Sequence, residues 1–469
     1  MKKLVLILVL LTSQLGFLAQ DFHGFQSSNY SGVLGVVSNP ANVVDNRMKF
    51  DLILGGVSVI ADNNYLGVKR SAFNNPNPSM FGLIKESIKS AKDSTYIPKL
   101  GNWDTTRRES PYYWKNNFVA QDNSKDKSIY SALRATLPSF LVTINKKNAI
   151  AFNWGVRNYV NVDGISPNLA RLAFEEFLYP SLWVTKLQNK NLSIQQMAWA
   201  EYGLTYGRVL KDDNEHFLKA GVTAKLLQGL SAAYVYIKDL NYEFTTDDTL
   251  SLFSSEVHYG HSTNFEIEPD GFKYKFVSNP GFGFDLGMVY EFRPGYEAEK
   301  YEMDGEKGIW RKDHNKYKFK ASFAINDIGG IRFQKGALSN DFIADVRLWD
   351  LNTVNPNSVQ GFDSLMTNMF GSLESQTTFK MALPTSINMQ GDYHIWKTFY
   401  ANLMINFSNL QKRRDAKVHD FTTISLAPRF DHKWFGLTVP LTYNTMTAKR
   451  GQGMNLGVMA RLGPLMLGT

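Results

Sequence analysis

Residues 282–292 read FGFDLGMVYEF, and their alternation decides the fold class. One face carries Phe282, Phe284, Leu286, Met288, Tyr290 and Phe292; the other carries Gly283, Asp285, Gly287, Val289 and Glu291. Successive side chains of a strand point to opposite sides, so this is a strand with one apolar face and one face of small and acidic residues. A strand in a soluble sandwich also hides an apolar face against a second sheet. Here the apolar face is continuous from end to end, with aromatics at both ends, and glycine and carboxylate oppose it. That matches a membrane-crossing barrel strand of ~9–11 residues, apolar toward lipid and polar toward the lumen.

The pattern recurs along the chain. Tyr317, Phe319, Ala321, Phe323 and Ile325 oppose Lys318, Lys320, Ser322 and Asn326. Phe399, Ala401, Leu403, Ile405 and Phe407 oppose Asn402 and Asn406. Leu218 to Leu226 and Ala198 to Tyr206 alternate in the same way, and from Leu133 to Ile144 the phase slips at Pro138, as at a bulge. One such strand is weak evidence; their repetition in a single chain is strong. The expected fold is an all-β, antiparallel, transmembrane outer-membrane β-barrel of about 14 strands. Its lumen-facing candidates are Asp285, Glu291, Lys318, Lys320 and Asn402.

The amino terminus points to the same compartment. Met1-Lys2-Lys3 is followed by an apolar run from Leu4 to Leu11, a polar break, and Gly16-Phe17-Leu18-Ala19. A basic start, a short apolar core and a small residue read as a secretory signal peptide over 1–19, cleaved after Ala19. The run is well short of the ~20 residues of a helical span. The chain has no cysteine, so neither a disulfide framework nor a lipid-modified cysteine is available. Only 20% of residues are charged, while Phe, Tyr and Trp make up 13%, which suits strands that meet lipid. The formal charge of +8 falls to +6 without Lys2 and Lys3, and export argues against a nucleic-acid partner.

Connections divide into short and long. Asn145–Asn148 and Lys211–Asn214 are tight turns, whereas 62–127, 166–191, 239–271 and 352–382 are long. Outer-membrane barrels carry short turns on the periplasmic side and long loops outside. Ser166-Pro167 reads as a helix start, serine as cap and proline in the first turn, and Met80–Lys92 as a short amphipathic helix. Before the first strand, residues 20–44 are rich in Gly, Ser, Asn and small aliphatics. A wide lumen holds either water or a plug, and this segment is the expected plug, with the barrel itself covering the rest of 20–469. The turn Asn39-Pro40-Ala41-Asn42 is then expected to aim the chain into strand one; the plainer reading is a turn before a strand.

Three patches carry a family resemblance. Ser38-Asn39-Pro40-Ala41 resembles the NPA-type turn near the start of barrels in the long-chain fatty acid transporter superfamily, which includes secretion-associated barrels of Bacteroidota. Residues Gly281–Gly287 resemble their G-x-G-x-D-x-G strand, and Ser322–Gly329 an N/D-x-G turn ending the following strand. With Leu383-Pro384-Thr385 the resemblance spans about residue 20 to the end, and is strongest to a Bacteroidota outer-membrane family whose function is unassigned. It implies a 14-stranded barrel with an N-terminal plug; some members pass hydrophobic molecules and others serve protein secretion. Asn42 stands where the superfamily often has glycine.

Catalytic chemistry is sparse. His258-Tyr259-Gly260-His261-Ser262 is the one dense polar knot; it reads as a solvated loop without a third metal ligand nearby. Asp212-Asp213, Glu175-Glu176 and Asp247-Asp248 are sequence neighbours, poor geometry for an acid–base pair. Lys412-Arg413-Arg414 with Lys417 reads as a basic loop. No cofactor, metal or enzymatic activity is expected. Two functions stay open: an interaction or scaffold component of the cell envelope, with outer-membrane lipid and envelope or secretion proteins as partners, or a barrel for a small hydrophobic ligand. Lumen chemistry separates them, because a transporter needs an apolar pocket. The last strand, from Met454 through Pro464 to Leu467, lacks a terminal aromatic, so the chain is expected to be a fragment or to pair poorly with its first strand.

Overall fold

The computed structural model describes residues 23–68, 118–263, 265, 280–408, 416–445 and 454–468, apart from 176, 214, 304, 313–314, 355–357 and 374–375. The expected signal peptide, the helix over Met80–Lys92, Glu176 and the Lys412-Arg413-Arg414 run lie outside the described residues. No helix among the described residues is long and apolar enough to cross a membrane.

The chain is mostly antiparallel β. In order, β1 is Phe50–Ile53 continued by Gly56–Asn63, β2 is Lys127–Thr136 continued by Ser139–Thr143, β3 is Asn148–Ile165, β4 is Leu187–Asp213 and β5 is His216–Phe244. Then come β6 (Thr249–His261), β7 (Gly281–Phe292), β8 (Phe319–Gln334), β9 (Phe342–Asp350), β10 (Thr378–Ala382 and Ser386–Trp396), β11 (Phe399–Phe407) and β12 (Thr423–Asp431). Last are β13 (Phe435–Thr438 and Leu441–Asn444), β14 (Met454–Leu456 and Met459–Leu462) and β15 (Leu465–Gly468). Neighbours in sequence pair as a meander, with one branch. The long strand β5 holds β7 along its first half and β6 along its second. β8 then continues from β7, and β9 from β6.

Facing follows the sequence pattern. Phe282, Phe284, Leu286 and Met288 are 46–62% exposed, while Asp285 between them is 2% exposed. Leu204, Val222, Leu226, Phe323, Leu403, Phe407, Ile424 and Leu426 are exposed apolar residues of the same outer surface. Inside lie Arg157, Glu201, Lys225, Glu291, Asp392, Asn402 and Arg429, all buried. A water-soluble core has the opposite polarity.

Several local expectations hold for physical reasons. Proline lacks the N–H a ladder needs, and β2 is interrupted at Leu137-Pro138. Ser166 caps helix α3 (Pro167–Phe174) by accepting from the Leu169 N–H. The segment before β1 forms helices α1 (His23–Gln26) and α2 (Gly32–Ser38) and a 3-10 turn at Pro40–Val43 rather than an irregular coil.

Others need correction. No closed barrel of the expected 14 strands is formed by hydrogen bonds: among the described residues β1 and β15 do not pair with each other. Met454 to Leu467 is not one strand, because Gly463-Pro464 makes the turn between β14 and β15. Residues 239–244 and 249–261 are strand rather than loop, joined by a tight turn at 245–248, as β5 and β6 extend together. Asn326-Asp327 is not a turn but a bulge inside β8: Leu286 pairs with Ile325 and Phe284 with Ile328, leaving two residues opposite Asp285. Asp327 takes φ +59° there, and Asn326 and Asp327 both turn inward.

Candidate functional site

The buried turn before β1 organises the lower interior, on the side of the short turns. Both ends of the Asn39 amide are engaged. Its Oδ1 accepts from the Ala41 N–H at 2.9 Å, which shapes the turn. Its Nδ2 donates to the carbonyls of Met288 (3.2 Å) and Phe323 (3.1 Å), which are paired residues on β7 and β8. Pro40 then lies on the wall at Gly221, and Val43 at Gly207. Gly207, Gly221, Gly287 and Ala324 are register partners across β4, β5, β7 and β8, so four strands present a row without bulky side chains. A Cβ on Gly221 would meet the Pro40 backbone at 2.5 Å. Ala41 is fully buried on this row, and Asn42 caps α2 by donating to the Gly35 carbonyl at 2.9 Å. That bond is what the side chain of Asn42 contributes where a glycine would offer none.

Two charged networks flank the seat. Above it, Arg157 bridges Asp327 and Glu201 at 2.8 Å each, and Lys225 bridges Asp327 (2.6 Å) and Asp285 (2.8 Å). The Asp327 N–H also donates to Asp285 at 2.7 Å, so the bulge in β8 is what brings the two carboxylates to one lysine. Below it, Arg293 holds Asp45 and Glu291 at 2.6 Å each, with its guanidinium against the rings of Phe217 and Trp310. Lys316 reaches Asp45 at 2.7 Å. Burial alone would raise the Asp45 carboxyl; the Lys316 and Arg293 charges hold it well below the usual carboxylate range. Burial pushes the Lys316 amine down to about 8, so the pair is ionised at neutral pH. Each buried charge here has an opposite charge beside it, the condition under which such groups persist.

The upper interior is apolar and filled by the chain itself. Tyr130, Tyr159, Trp199, Leu227, Phe333, Phe379, Met381 and Leu383 form one cluster, with Val418 in it and Phe421 against it. Val418 and Phe421 belong to a segment, residues 416–422 before β12, that turns inward. Asp420 anchors it to Arg134 at 2.6 Å and to Tyr130, and Asn161 exchanges two hydrogen bonds with the His419 backbone. His419 donates toward Asp163 at 2.8 Å. Between plug and segment lies a cavity of about 90 Å³ of mixed lining, touching Arg134, Asn153, Glu201 and Asn388 as well as Leu34, Val37 and Trp154.

Asn39, Pro40, Ala41 and Asn42 therefore sit together on the wall, and Asp285, Glu291 and Asn402 point inward among partners. Asn402 donates to Asp392 at 3.2 Å, and Lys320 lines a cavity beside the plug. Lys318 does not join them. Its amine lies 4.7 Å from the ring of Tyr393, which is 48% exposed, while Tyr317 is buried and donates to Asp392. The expected alternation breaks here because β8 begins only at Phe319.

The polar knot at 258–262 is strand, not solvated loop. His261 is 4% exposed and meets Asp363 of helix α4 (Val359–Phe370) at 2.8 Å; Tyr259 donates to the same carboxylate. No group of three or more His, Cys, Asp or Glu that could hold a metal occurs among the described residues. Lys417 is buried rather than part of a solvated basic loop. Sequence reasoning missed Arg157 and Arg293, set Lys225 on a polar strand face without a role, and placed Asp327 in a turn; a charged residue inside an alternating strand, as at Arg157, was the available signal.

Comparison with known proteins gives one match. No curated protein and no solved structure matches the chain. Residues 40–469 match a family of unknown function, DUF5723, so the match begins at Pro40 of the seated turn and runs to the last residue. The chain belongs to that family of unknown function.

Proposed function

We propose that the protein is an outer-membrane β-barrel acting as an interaction or scaffold component of the cell envelope, with secretion-associated barrels as its nearest functional analogy. The observation that carries this reading is the inverted polarity of the sheet: apolar side chains outside, charged networks inside. Outward apolar rows would be costly in water and are what a bilayer requires. The interior is occupied by the plug and the inward segment, leaving cavities of about 60 and 90 Å³ near the plug. Those hold a few waters each, far below the ~300 Å³ and more of a pocket for a drug-sized ligand. A filled lumen suits a scaffold better than a conduit.

A second reading rests on the upper cluster. Aromatic and aliphatic side chains around Val418 would form an apolar pocket if the inward segment withdrew, which suits a small hydrophobic molecule. Purification from membranes in mild detergent, with identification of bound lipid and co-purifying proteins, separates the two. A stoichiometric envelope protein supports the scaffold; a bound apolar molecule without a protein partner supports the alternative. Recovery as a soluble monomer without detergent would end both.

A further inference from the structure

Residues 416–422 fill the upper interior without belonging to the wall that surrounds them. The ladders of β2 with β3 and of β3 with β4 run through Ile129–Thr136 and Asn148–Asp163 with no contribution from this segment. Its backbone meets a strand at Ala382, which donates to the Ala416 carbonyl at 3.1 Å and bridges Lys417. Beyond that point side chains of the wall take over. Asn161 of β3 donates to the His419 carbonyl at 3.0 Å and accepts from the His419 N–H at 2.9 Å. Gln195 of β4 accepts from the Lys417 N–H at 3.0 Å. Two side-chain amides therefore read a peptide backbone at Lys417 and His419, the spacing at which an extended chain turns its N–H groups to one side.

Side-chain sockets complete the fit. Asp420 is held by Arg134 at 2.6 Å and by the Tyr130 hydroxyl, and Phe421 lies edge-on to Tyr130 with ring centroids 4.6 Å apart. Val418 enters the apolar cluster. His419 reaches Asp163, whose side chain is 34% exposed, so the groove is not sealed at that end. Withdrawal of the segment would take the carboxylate from Arg134 and the backbone from both amides, which is costly unless something replaces them. An apolar molecule fills the Val418 and Phe421 sockets but offers nothing to Asn161, Gln195 or Arg134. A second peptide satisfies all of them. We propose that the inner face of β2, β3 and β4 is a peptide-recognition groove in which residues 416–422 are a resident ligand, exchanged for a partner polypeptide that presents an aliphatic residue, any residue, an acid and an aromatic in that order. The backbone bonds give affinity and the sockets give specificity, as in other grooves that bind extended peptides. This rests on the scaffold reading and names the chemistry of its partner. A tethered segment competes at an effective concentration on the order of mM, so the groove opens only to a tighter partner or when the resident is weakened.

The test is fluorescence anisotropy with a labelled, end-blocked peptide of the sequence Ala416–Thr422, added to the full-length protein in detergent micelles. Asp420→Ala weakens the resident segment and leaves the wall residues in place. It should bind the peptide about tenfold or more tightly than wild type does, the scale of one charge-assisted hydrogen bond. A peptide carrying Asp420→Asn should lose that gain, and Asn161→Ala added to the Asp420→Ala protein should weaken binding again. Phe421→Ala vacates the groove without removing a charge and should show the same gain, so the question stays decidable if Asp420→Ala does not fold. Equal binding by wild type and both vacated variants, or by the two peptides, would overturn the assignment. So would recovery of a bound lipid by Asp420→Ala with no peptide binding, which gives the space to an apolar molecule. Absence of peptide binding by a protein that still co-purifies with an envelope protein refutes the groove and leaves the scaffold reading standing.

Discussion

Gly287 lies so close to Asn39 that a Cβ at that position would stand 2.1 Å from the Asn39 Oδ1. A missing side chain on β7 is therefore the space in which the plug's turn is seated. Gly287→Ala should displace the turn and expose the plug, while leaving the outward face of β7 unchanged. Asn39→Ala removes both donors to the Met288 and Phe323 carbonyls and should cost about 1–3 kcal/mol. Asn39→Asp should be worse, since it turns a carboxylate toward two carbonyls. Limited proteolysis before and after each change reads the seating directly; wild-type resistance in Gly287→Ala would refute it.

The charged interior makes a second prediction. Arg157 is the shared partner of Asp327 and Glu201, and its side chain is 9% exposed. Removing one member of a buried ion network leaves uncompensated charge, typically about 3–5 kcal/mol. Arg157→Met should destabilise by that order, measured by denaturant unfolding in detergent. A loss no larger than that of a surface substitution would mean the network is solvated.

Facing can be tested within one strand. Leu286 points outward and should tolerate arginine poorly in a bilayer, at a cost of roughly 2–4 kcal/mol near mid-membrane. From alternation alone, neutralising Asp285 would be harmless. The structure changes that expectation, because Asp285 accepts from both Lys225 and the Asp327 N–H. Asp285→Asn should therefore also impair folding, both in lipid and in detergent, whereas Leu286→Arg should act through lipid alone. Assembly yield in vesicles compared with refolding yield in micelles distinguishes them.

What the sequence discloses and what it hides differ in range. Alternation at Phe282–Phe292, the break at Pro138 and the Ser166-Pro167 helix start are local, and each is visible because neighbouring residues carry it. Arg157 and Asp327 are 170 positions apart, and no local pattern joins them. The bulge at Asn326-Asp327 reads as a turn because asparagine, aspartate and glycine favour turns and bulges alike. At Tyr317-Lys318 the alternation in the sequence extends two residues beyond the strand start at Phe319, and there Tyr317 faces in. The continuation of β5 to Phe244 is itself legible, since Leu240, Tyr242 and Phe244 alternate with Asp239, Asn241 and Glu243.

The inward segment has a pH dependence of definite sign. His419 presents one ring nitrogen to the Asp420 carbonyl and the other to Asp163, and both acceptors favour the doubly protonated ring. Around it lie Asn161 and the Asp420 carboxylate, the latter held by Arg134. Burial works against the charge, but the Asp163 hydrogen bond and charge prevail and raise the imidazole above its ordinary value. A group raised in the folded state adds stability that is complete below its unfolded pKa and is lost as pH rises through the folded one. Residues 416–422 should therefore exchange backbone hydrogens more slowly at mildly acidic than at mildly alkaline pH, after correction for intrinsic rates. His419→Gln should flatten that difference.

The two edges of the sheet meet on the plug instead of on each other. Ile53 of β1 and Met466 of β15 pack against the same cluster of Phe25, Leu34 and Met459. Asp51 of β1 also accepts from the Val33 N–H, and Ser28 of the plug donates to Asp431 of β12. With no ladder joining β1 to β15 among the described residues, this cluster, with Leu34 in it, is a contact that both edges share. Leu34→Ala leaves a cavity at that contact and should cost about 2–4 kcal/mol. The diagnostic feature is where the loss is felt. Hydrogen exchange should accelerate in β1 and β15 together, although they are separated by more than 400 residues of sequence. Acceleration in β1 alone would mean that β15 is secured by β14 and not by the plug.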